Sequence, residues 1–320
     1  MRPVNGKGIL LLLFLFLPLT ACTQAAEDEE LVIGLLLTYE AGQQEWNERG
    51  YEAVHRLEED FGAEVHIREN TKSPGDVRQA VRELEEEGVS LLFGHGAVYA
   101  DMFMNLKDTY PDVHFVTFNE PVSGENITSV HFEGYAMGYF AGMLAAEQSE
   151  TGRIAAVGAY PYQPEIHGFA DGADYQQSGT EIALRFTESW VDREAALSHL
   201  KNLPDETDVV YAAGDGFHQE IIEQAEKADI YTIGYLGDND SDGEMVLTST
   251  VQHVEKLYEE TASEYVDGTL KPGNRRVDFQ DGFISLGAFG PAVDEETKEW
   301  LEHIVEEYKE TGLLPHEQET

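Results

Sequence analysis

The sequence predicts an α/β fold of two hinged lobes, each with a mostly parallel sheet flanked by helices. Continuous apolar runs such as Leu31–Leu37 are typical of strands that are covered on both faces. Segments with helical spacing of apolar residues follow these runs, and this alternation predicts parallel strands joined by helical crossovers. The pattern stops at a glycine-rich segment that begins at Gly134 and starts again at Ile154. Two successive runs of one pattern therefore predict two lobes.

In the first lobe, Ser73 and Pro74 are well placed as the N-cap and first residue of a helix that ends at Gly88. The strands predicted for this lobe are Leu31–Leu37, Val65–Ile67, Ser90–Phe93, Val113–Phe118 and Ser129–Phe132. The other helices predicted there are Glu45–Phe61 and Ala100–Thr109.

The glycine-rich helix Gly134–Glu147 is predicted to leave the first lobe and open the second. It contains Gly134, Gly138 and Gly142, and an interior glycine costs a helix up to about 1 kcal/mol relative to alanine. We therefore expect this helix to approach a neighbouring backbone closely. The alternative is an ordinary buried helix.

The second lobe repeats the pattern. Its predicted strands are Ile154–Val157, Ile182–Phe186, Val209–Ala212 and Ile230–Ile233. Its predicted helices are Glu165–Tyr175, Arg193–Leu203 and His218–Ala228. The strand Met245–Val251 and the helix Val254–Asp267 are then expected to return to the first lobe, and Gly282–Ser285 with Glu295–Thr311 to the second. The predicted boundaries are 31–132 and 250–275 for lobe 1, 133–249 and 276–312 for lobe 2, and 313–320 for a polar tail.

The first 21 residues are predicted to be a secretory signal. Arg2 and Lys7 precede the apolar run Ile9–Leu19, which is too short for a bilayer span of about 20 residues. Cys22 is the only cysteine of the chain and directly follows small residues, as in a bacterial lipobox. Residues 22–30 would then be a lipidated cysteine with an acidic spacer, holding the protein on the extracytoplasmic face of the cell membrane. The alternative is a plain signal peptide with an incidental cysteine.

The charge of the chain argues against nucleic acid as a direct partner. It carries 62 acidic and 20 basic residues, for a formal net charge of −42. Such a surface repels phosphate backbones and anionic lipid head groups. We therefore expect attachment to the membrane through the lipid anchor only.

Aromatic residues near predicted strand ends indicate a ligand site. Ligands of parallel α/β sheets bind beyond the carboxyl ends of the strands, which here places them between the lobes. Trp46, Trp190 and Phe217 lie in three such turns and could sandwich a planar small molecule by stacking, although each could instead be a core residue. His95 lies between two glycines at a strand end, which suits either a cleft contact or an exposed turn.

We find no sequence motif for catalysis, a cofactor or a metal. A nucleophile elbow, a P-loop and an HExxH motif are all absent from the sequence. The acidic residues Asp238, Asp240 and Asp242 resemble a calcium loop, but its twelfth position holds Ser249 in place of glutamate. The sequence therefore predicts a binding protein and not an enzyme.

Several segments together resemble the basic membrane protein family of solute-binding lipoproteins. They are the lipobox, Glu133–Ala146 (EGYAMGYFAGMLAA), Val210–Gly216 (VYAAGDG), Ile233–Asp238 and Val246–Val254. The resemblance covers roughly residues 31–312 and implies the type I periplasmic-binding-protein fold, with a nucleoside-type ABC permease as partner. Three segments are most similar to a branch described as positive regulators of competence-gene expression in bacilli: GVSLLFGHG, TSVHFEGYAMG and LTSTVQHV.

The resemblance also implies positions for ligand binding. The family's first-turn motif corresponds to the segment that contains Glu40, Gln43, Gln44 and Trp46. Further family positions correspond to Asn119, Trp190, Gly214 and its glycine turn, Asp238 and Gln252. Asn119 replaces an aspartate and Gln252 a lysine of the family, which removes charge-assisted hydrogen bonds. Two functions follow as hypotheses: a solute-binding protein that closes on a nucleoside-like ligand, or an indirect regulator of competence genes with altered or lost nucleoside binding.

Overall fold

The computed structural model describes residues 31–238 and 243–318. The predicted signal, the lipidation site Cys22 and the acidic spacer lie outside these residues. The described strands are β1 (Val32–Leu36), β2 (Glu64–Arg68), β3 (Leu91–Gly94), β4 (His114–Phe118), β5 (Ile127–Phe132), β6 (Arg153–Gly158), β7 (Glu181–Phe186), β8 (Val209–Ala213), β9 (Tyr231–Leu236), β10 (Val246–Gln252), β11 (Gly273–Val277) and β12 (Ile284–Leu286).

The described α-helices are α1 (Glu45–Phe61), α2 (Pro74–Glu86), α3 (Tyr99–Leu106), α4 (Gly134–Gln148), α5 (Pro164–Gln176), α6 (Arg193–Lys201), α7 (His218–Glu226), α8 (Val254–Val266), α9 (Glu295–Thr311) and α10 (Pro315–Gln318). A short 3-10 turn, Ala41–Gln43, precedes α1. Among the described helices, none has the length and apolar character that a membrane crossing requires.

Two six-stranded sheets form the centres of two lobes. The first has the order β11-β5-β4-β3-β1-β2 and the second β12-β10-β9-β8-β6-β7. The described pairings of the first sheet are all parallel. In the second sheet the described pairings are parallel except that of β10 with β12. Helix α2 begins with the predicted cap, since Ser73 and Asp76 exchange hydrogen bonds in a capping box.

The chain passes between the two sheets after β5, again between β10 and β11, and once more after β11. The strand predicted over Met245–Val251 does not return to the first lobe. It forms β10 of the second sheet, parallel to β9, so residues 250–252 belong to lobe 2. The return begins at α8, which packs on α1.

Strand β11 was not predicted, because Asn274, Arg275 and Arg276 give this edge strand a polar sequence. It runs to Val277, so the first lobe extends past the predicted boundary at 275. The described part of the predicted polar tail is folded: Leu314 is buried, and the imidazole Nδ1 of His316 lies 3.1 Å from the Tyr139 hydroxyl.

The close approach predicted for the glycine-rich helix is confirmed, and its partner is α5. A Cβ atom built on Gly138 would lie 1.9 Å from the Glu165 carbonyl oxygen, and one on Gly142 would lie 2.0 Å from that of Phe169. The relation is reciprocal, since a Cβ on Gly168 would lie 2.0 Å from the Tyr135 carbonyl oxygen. Backbone therefore packs on backbone between α4 and α5, which explains why glycine occupies these positions.

Candidate ligand-binding cleft

A cavity of about 440 Å³ lies between the lobes, where the strands of both sheets present their carboxyl ends. Its aromatic lining residues are Tyr39, Trp46, Trp190 and Tyr235. Its amide side chains are Gln44, Asn47, Asn119 and Gln252. Lys72, His95 and Asp215 add ionisable groups. The cavity thus combines flat rings with hydrogen-bonding amides.

Six of the residues predicted from the sequence line this cavity. They are Gln44, Trp46, His95, Asn119, Trp190 and Gln252. The remaining predicted residues Glu40, Gln43, Gly214, Phe217 and Asp238 are not among its lining residues.

Phe217 was predicted to face the cleft, but its side chain is completely buried in a core cluster of lobe 2. Its ring lies directly beside Gly214, where an added Cβ would approach the ring to 1.8 Å. Gly214 therefore makes room for this ring. The ring fills the interior because Phe217 begins the α7 segment, whose apolar face packs on the second sheet.

The other three residues have different surroundings. Glu40 is exposed ahead of the 3-10 turn. Gln43 lines a neighbouring groove between α1 and α7. The Asp238 carboxylate accepts a hydrogen bond from the Ala288 N–H over 2.6 Å, so it ties the end of β9 to the segment after β12.

Trp46 lies in the first turn of α1, within the helix predicted over Glu45–Phe61. Its indole is stacked on the His95 imidazole, with ring centroids 4.3 Å apart and planes 12° from parallel. Phe118 and Phe132 meet the same indole at nearly perpendicular angles, at 5.6 and 6.0 Å. Aromatic neighbours therefore fix the orientation of this ring in lobe 1.

His95 is 1% exposed, so it is not an exposed turn residue. Its Nε2 lies 2.6 Å from the Trp46 carbonyl oxygen, and its Nδ1 lies 2.8 Å from the Tyr258 hydroxyl. Because a carbonyl can only accept, Nε2 carries the proton and Nδ1 accepts from Tyr258. Burial lowers the pKa of His95 to about 3, despite the opposing hydrogen bond to Trp46. His95 is therefore neutral and holds Trp46 in place.

Trp190 lines the cavity from lobe 2, after the end of β7. Its ring meets Tyr160 at 65° with centroids 5.7 Å apart, and its carbonyl accepts the Gly216 N–H over 2.9 Å. Trp46 and Trp190 thus line one cavity from opposite lobes.

The amide side chains differ in how they are held. Asn119 has a left-handed backbone (φ 55°), and its side-chain oxygen accepts the Phe132 N–H over 3.1 Å. Gln252, at the end of β10, is 7% exposed. Within the described part of the chain, the Gln252 amide has no hydrogen-bond partner. This amide borders the cavity, where it can contact a ligand.

Sequence reasoning missed Asp215 as a site residue. Its carboxylate is 7% exposed and accepts the Trp46 N–H over 3.0 Å. Burial raises the pKa of Asp215 to about 6, against the lowering effect of the Trp46 N–H. Its position between Gly214 and Gly216, in a turn expected to face the cleft, was the available signal.

Tyr235 and Lys72 were also missed. Tyr235 lies next to the last residue of β9, and its hydroxyl donates a hydrogen bond to the Glu165 carboxyl group over 2.8 Å. Burial, followed by the neighbouring Glu165, raises the pKa of Tyr235 well above its usual range. Lys72 places its ammonium 3.7 Å from the centroid of the Tyr39 ring, a cation–π contact at the cavity wall.

Among residues 31–238 and 243–318, no group of three or more histidine, cysteine or acidic side chains is placed to hold a metal ion. Two residues of the apparent calcium loop, Asp240 and Asp242, lie outside the described residues.

Residues 31–318 match the profile of a family described as ABC transporter substrate-binding protein, PnrA-like, and the chain belongs to this basic membrane protein family. Substrate-binding proteins of this family are extracytoplasmic, and the architecture is the type I periplasmic-binding-protein fold that the resemblance implied.

The similarity to the competence-regulator branch is confirmed as well. The transcriptional activator protein Med of Bacillus subtilis (strain 168) is 36% identical over 285 residues, which are 88% of this chain and 90% of Med. A crystal structure of a transcriptional activator of the comK gene from Bacillus halodurans has a TM-score of 0.84 and 42% identity, covering 89% of this chain and 100% of that one. A purine-binding protein of Brucella abortus (strain 2308) is 23% identical over 281 residues, 86% of this chain and 80% of that protein.

Proposed function

We propose that this protein is the lipid-anchored solute-binding component of an ABC importer and closes its lobes on a planar, nucleoside-like ligand. The observation that carries the proposal is that Trp46 and Trp190 line one cavity from opposite lobes. Two rings on opposite lobes can stack on both faces of a heterocycle, and stacking of a base on an aromatic side chain contributes about 1–3 kcal/mol.

The amide side chains support a ligand with a hydrogen-bonding edge. An amide offers one acceptor and two donors, which matches the adjacent donors and acceptors of a nucleobase. Gln252 borders the cavity with both groups unpaired in the described structure. A base edge that pairs with Gln252 would supply partners for both groups of this amide. The purine-binding relative in Brucella is consistent with such a ligand.

The proposed mechanism is binding and release without bond chemistry. The chain segments that connect the two sheets act as the hinge. Closure of the lobes about this hinge brings Trp190 towards Trp46. A permease would then accept the ligand from the closed protein. Attachment through Cys22 keeps the protein at the membrane, and the net charge of −42 disfavours direct contact with nucleic acid.

A second function is favoured by the names of the similar Bacillus proteins, which describe transcriptional activators. In that case the chain regulates competence genes indirectly, and the neutral residues Asn119 and Gln252 reflect altered or lost nucleoside binding. Both functions predict the same fold and differ in whether the cleft takes up a nucleoside.

Thermal unfolding of the full-length chain with a panel of purine and pyrimidine nucleosides and free bases separates the two. A ligand at about 100 times its dissociation constant stabilises the folded state by about 2.7 kcal/mol, so a binding protein shows a clear rise in Tm. The rise should persist in Trp300→Phe, because Trp300 lies in α9 and does not line the cavity. A panel without any shift contradicts nucleoside binding and favours the regulatory function.

A further inference from the structure

Helix α1 of lobe 1 begins without a side-chain cap from its own N-cap residue. Gln44 occupies the N-cap position with extended backbone and makes no capping hydrogen bond. The first N–H groups of any α-helix lack partners within the helix and need acceptors from elsewhere. Trp46, whose ring lines the cleft, lies in this first turn.

Lobe 2 supplies the missing acceptor. The Asp215 carboxylate, which follows β8 of the second sheet, accepts the Trp46 N–H over 3.0 Å. A carboxylate is a favoured helix cap because it satisfies these N–H groups and complements the positive end of the helix dipole. Asp215 therefore caps α1 from the opposite lobe.

Two more contacts hold the N-terminal end of α1 against lobe 2. The Glu45 carboxylate lies 2.9 Å from Nε2 of His218 in α7. The Arg49 guanidinium packs on the backbone of Gly237, where an added Cβ would lie 1.8 Å from its Nη2. The N-terminal two turns of α1 thus contact lobe 2.

Trp46 is held from both lobes at once. His95 of lobe 1 binds its carbonyl oxygen and stacks on its ring, whereas Asp215 of lobe 2 binds its N–H. Separation of the lobes would leave the contacts with His95 and remove the one with Asp215. The position of the cleft tryptophan therefore depends on the distance between the lobes.

We propose that Asp215 is a positioning residue that couples lobe closure to the placement of Trp46, and through Trp46 to ligand affinity. The link to ligand affinity rests on the proposed function, because the placement of Trp46 can change affinity only if the cleft binds a ligand. The coupling is reciprocal: a ligand that stacks on Trp46 favours the capped, closed arrangement, and the cap favours the ligand.

A test in the ligand-free protein does not depend on the identity of the ligand. In a Trp190→Phe, Trp300→Phe background, Trp46 is the remaining tryptophan of the described chain. Asp215→Ala should then increase acrylamide quenching of Trp46 fluorescence and increase the radius of gyration in small-angle X-ray scattering. Asp215→Asn, which keeps a neutral acceptor, should give intermediate values and serves as a second variant if Asp215→Ala folds poorly.

Asp294→Ala is the matched control. Asp294 caps α9 within lobe 2 by accepting the Thr297 N–H over 2.8 Å, so this variant also loses a carboxylate cap but no contact between the lobes. It should leave Trp46 quenching and the radius of gyration unchanged. Wild-type values for both quantities in Asp215→Ala and Asp215→Asn would overturn the proposal.

A second arm uses titration with any nucleoside that raises the Tm of the wild-type chain. In the chain with all its tryptophans, Asp215→Ala should weaken the binding of that nucleoside about tenfold, the range expected for a lost helix cap, and Asp294→Ala should not weaken it. Equal affinity in wild type and Asp215→Ala overturns the coupling. If no nucleoside binds, the proposed function fails, and the fluorescence and scattering measurements still decide whether Asp215 joins the lobes.

Discussion

The imidazole of His95 lies parallel beneath the indole of Trp46, 4.3 Å away, and bonds to the carbonyl of the same residue. This double contact gives His95 a structural role that its position between two glycines did not reveal. A second proton on the ring would occupy Nδ1, which accepts from the Tyr258 hydroxyl. Protonation of His95 would therefore break the arrangement that holds Trp46.

His95 should remain the neutral Nε2–H tautomer down to about pH 4. Burial lowers its pKa to about 3, whereas the unfolded chain binds this proton near the ordinary pKa of about 6.5. The stability that neutral His95 contributes is therefore present above about pH 6.5 and is lost as the pH falls towards 3. Nitrogen-15 chemical shifts of the ring report the tautomer directly. A titration midpoint near 6.5 in the folded protein would show that the ring is not held as described.

Asp215 should change stability with pH in the opposite direction. Its pKa is raised by burial to about 6, so the folded protein binds this proton more tightly than the unfolded chain does. The stability contributed by protonated Asp215 is present below about pH 4 and is lost as the pH rises through about 6, by up to about 1.4 kcal/mol per pH unit.

Comparison with Asp215→Asn isolates this effect from the many other carboxylates, including the neighbouring Glu45. The free energy of unfolding of wild type minus that of Asp215→Asn should fall between pH 4 and 6, as measured by urea denaturation. A difference that is constant across this range would mean that Asp215 titrates at its ordinary pKa.

Gly138→Ala should destabilise the protein by about 3 kcal/mol, the upper end of the usual penalty for over-packing. The new methyl group would meet the carbonyl of Glu165 at 1.9 Å, and a backbone atom in a packed helix pair cannot rotate away. Gly75→Ala is the control in α2, since the nearest atom to its Cβ would be 3.5 Å away. This control should be neutral or stabilising by up to about 1 kcal/mol. Equal unfolding midpoints in urea for the two variants would refute the tight packing of α4 on α5.

Tyr235→Phe should lower the free energy of unfolding by about 1–3 kcal/mol, because it removes the hydroxyl bonded to the buried Glu165. The ring that lines the cleft is retained, so nucleoside affinity should change little. Tyr265→Phe is the control, since the Tyr265 hydroxyl has no hydrogen-bond partner in the described part of the chain. If both variants have wild-type stability in urea denaturation, the hydrogen bond between Tyr235 and Glu165 does not stabilise the folded protein.

Most of the fold could be predicted because strand–helix alternation and caps such as Ser73–Pro74 are local signals. Membership of a sheet is not local. The sequence of β10 is compatible with either sheet, and its pairing with β9 places it in the second sheet. Polar β11 carried too weak an apolar pattern to be recognised as a strand.

The candidate site was predictable where a ring or amide follows a strand, as for Trp190 and Asn119. Phe217 satisfied the same rule but turned inward, because Gly214 leaves room for its ring in the core. Asp215 was missed because its partner, the Trp46 N–H, belongs to the other lobe. A contact that spans 169 residues of chain leaves no spacing pattern in the sequence.

The central claim is that a ligand binds between rings of opposite lobes, and calorimetric titration of the full-length chain tests it most directly. A nucleoside that binds wild type should bind Trp190→Ala with an affinity lower by about 1–3 kcal/mol, roughly 5- to 150-fold. It should bind Trp300→Phe with wild-type affinity. Equal affinity in wild type and Trp190→Ala would contradict stacking between the lobes and place the ligand elsewhere on the protein.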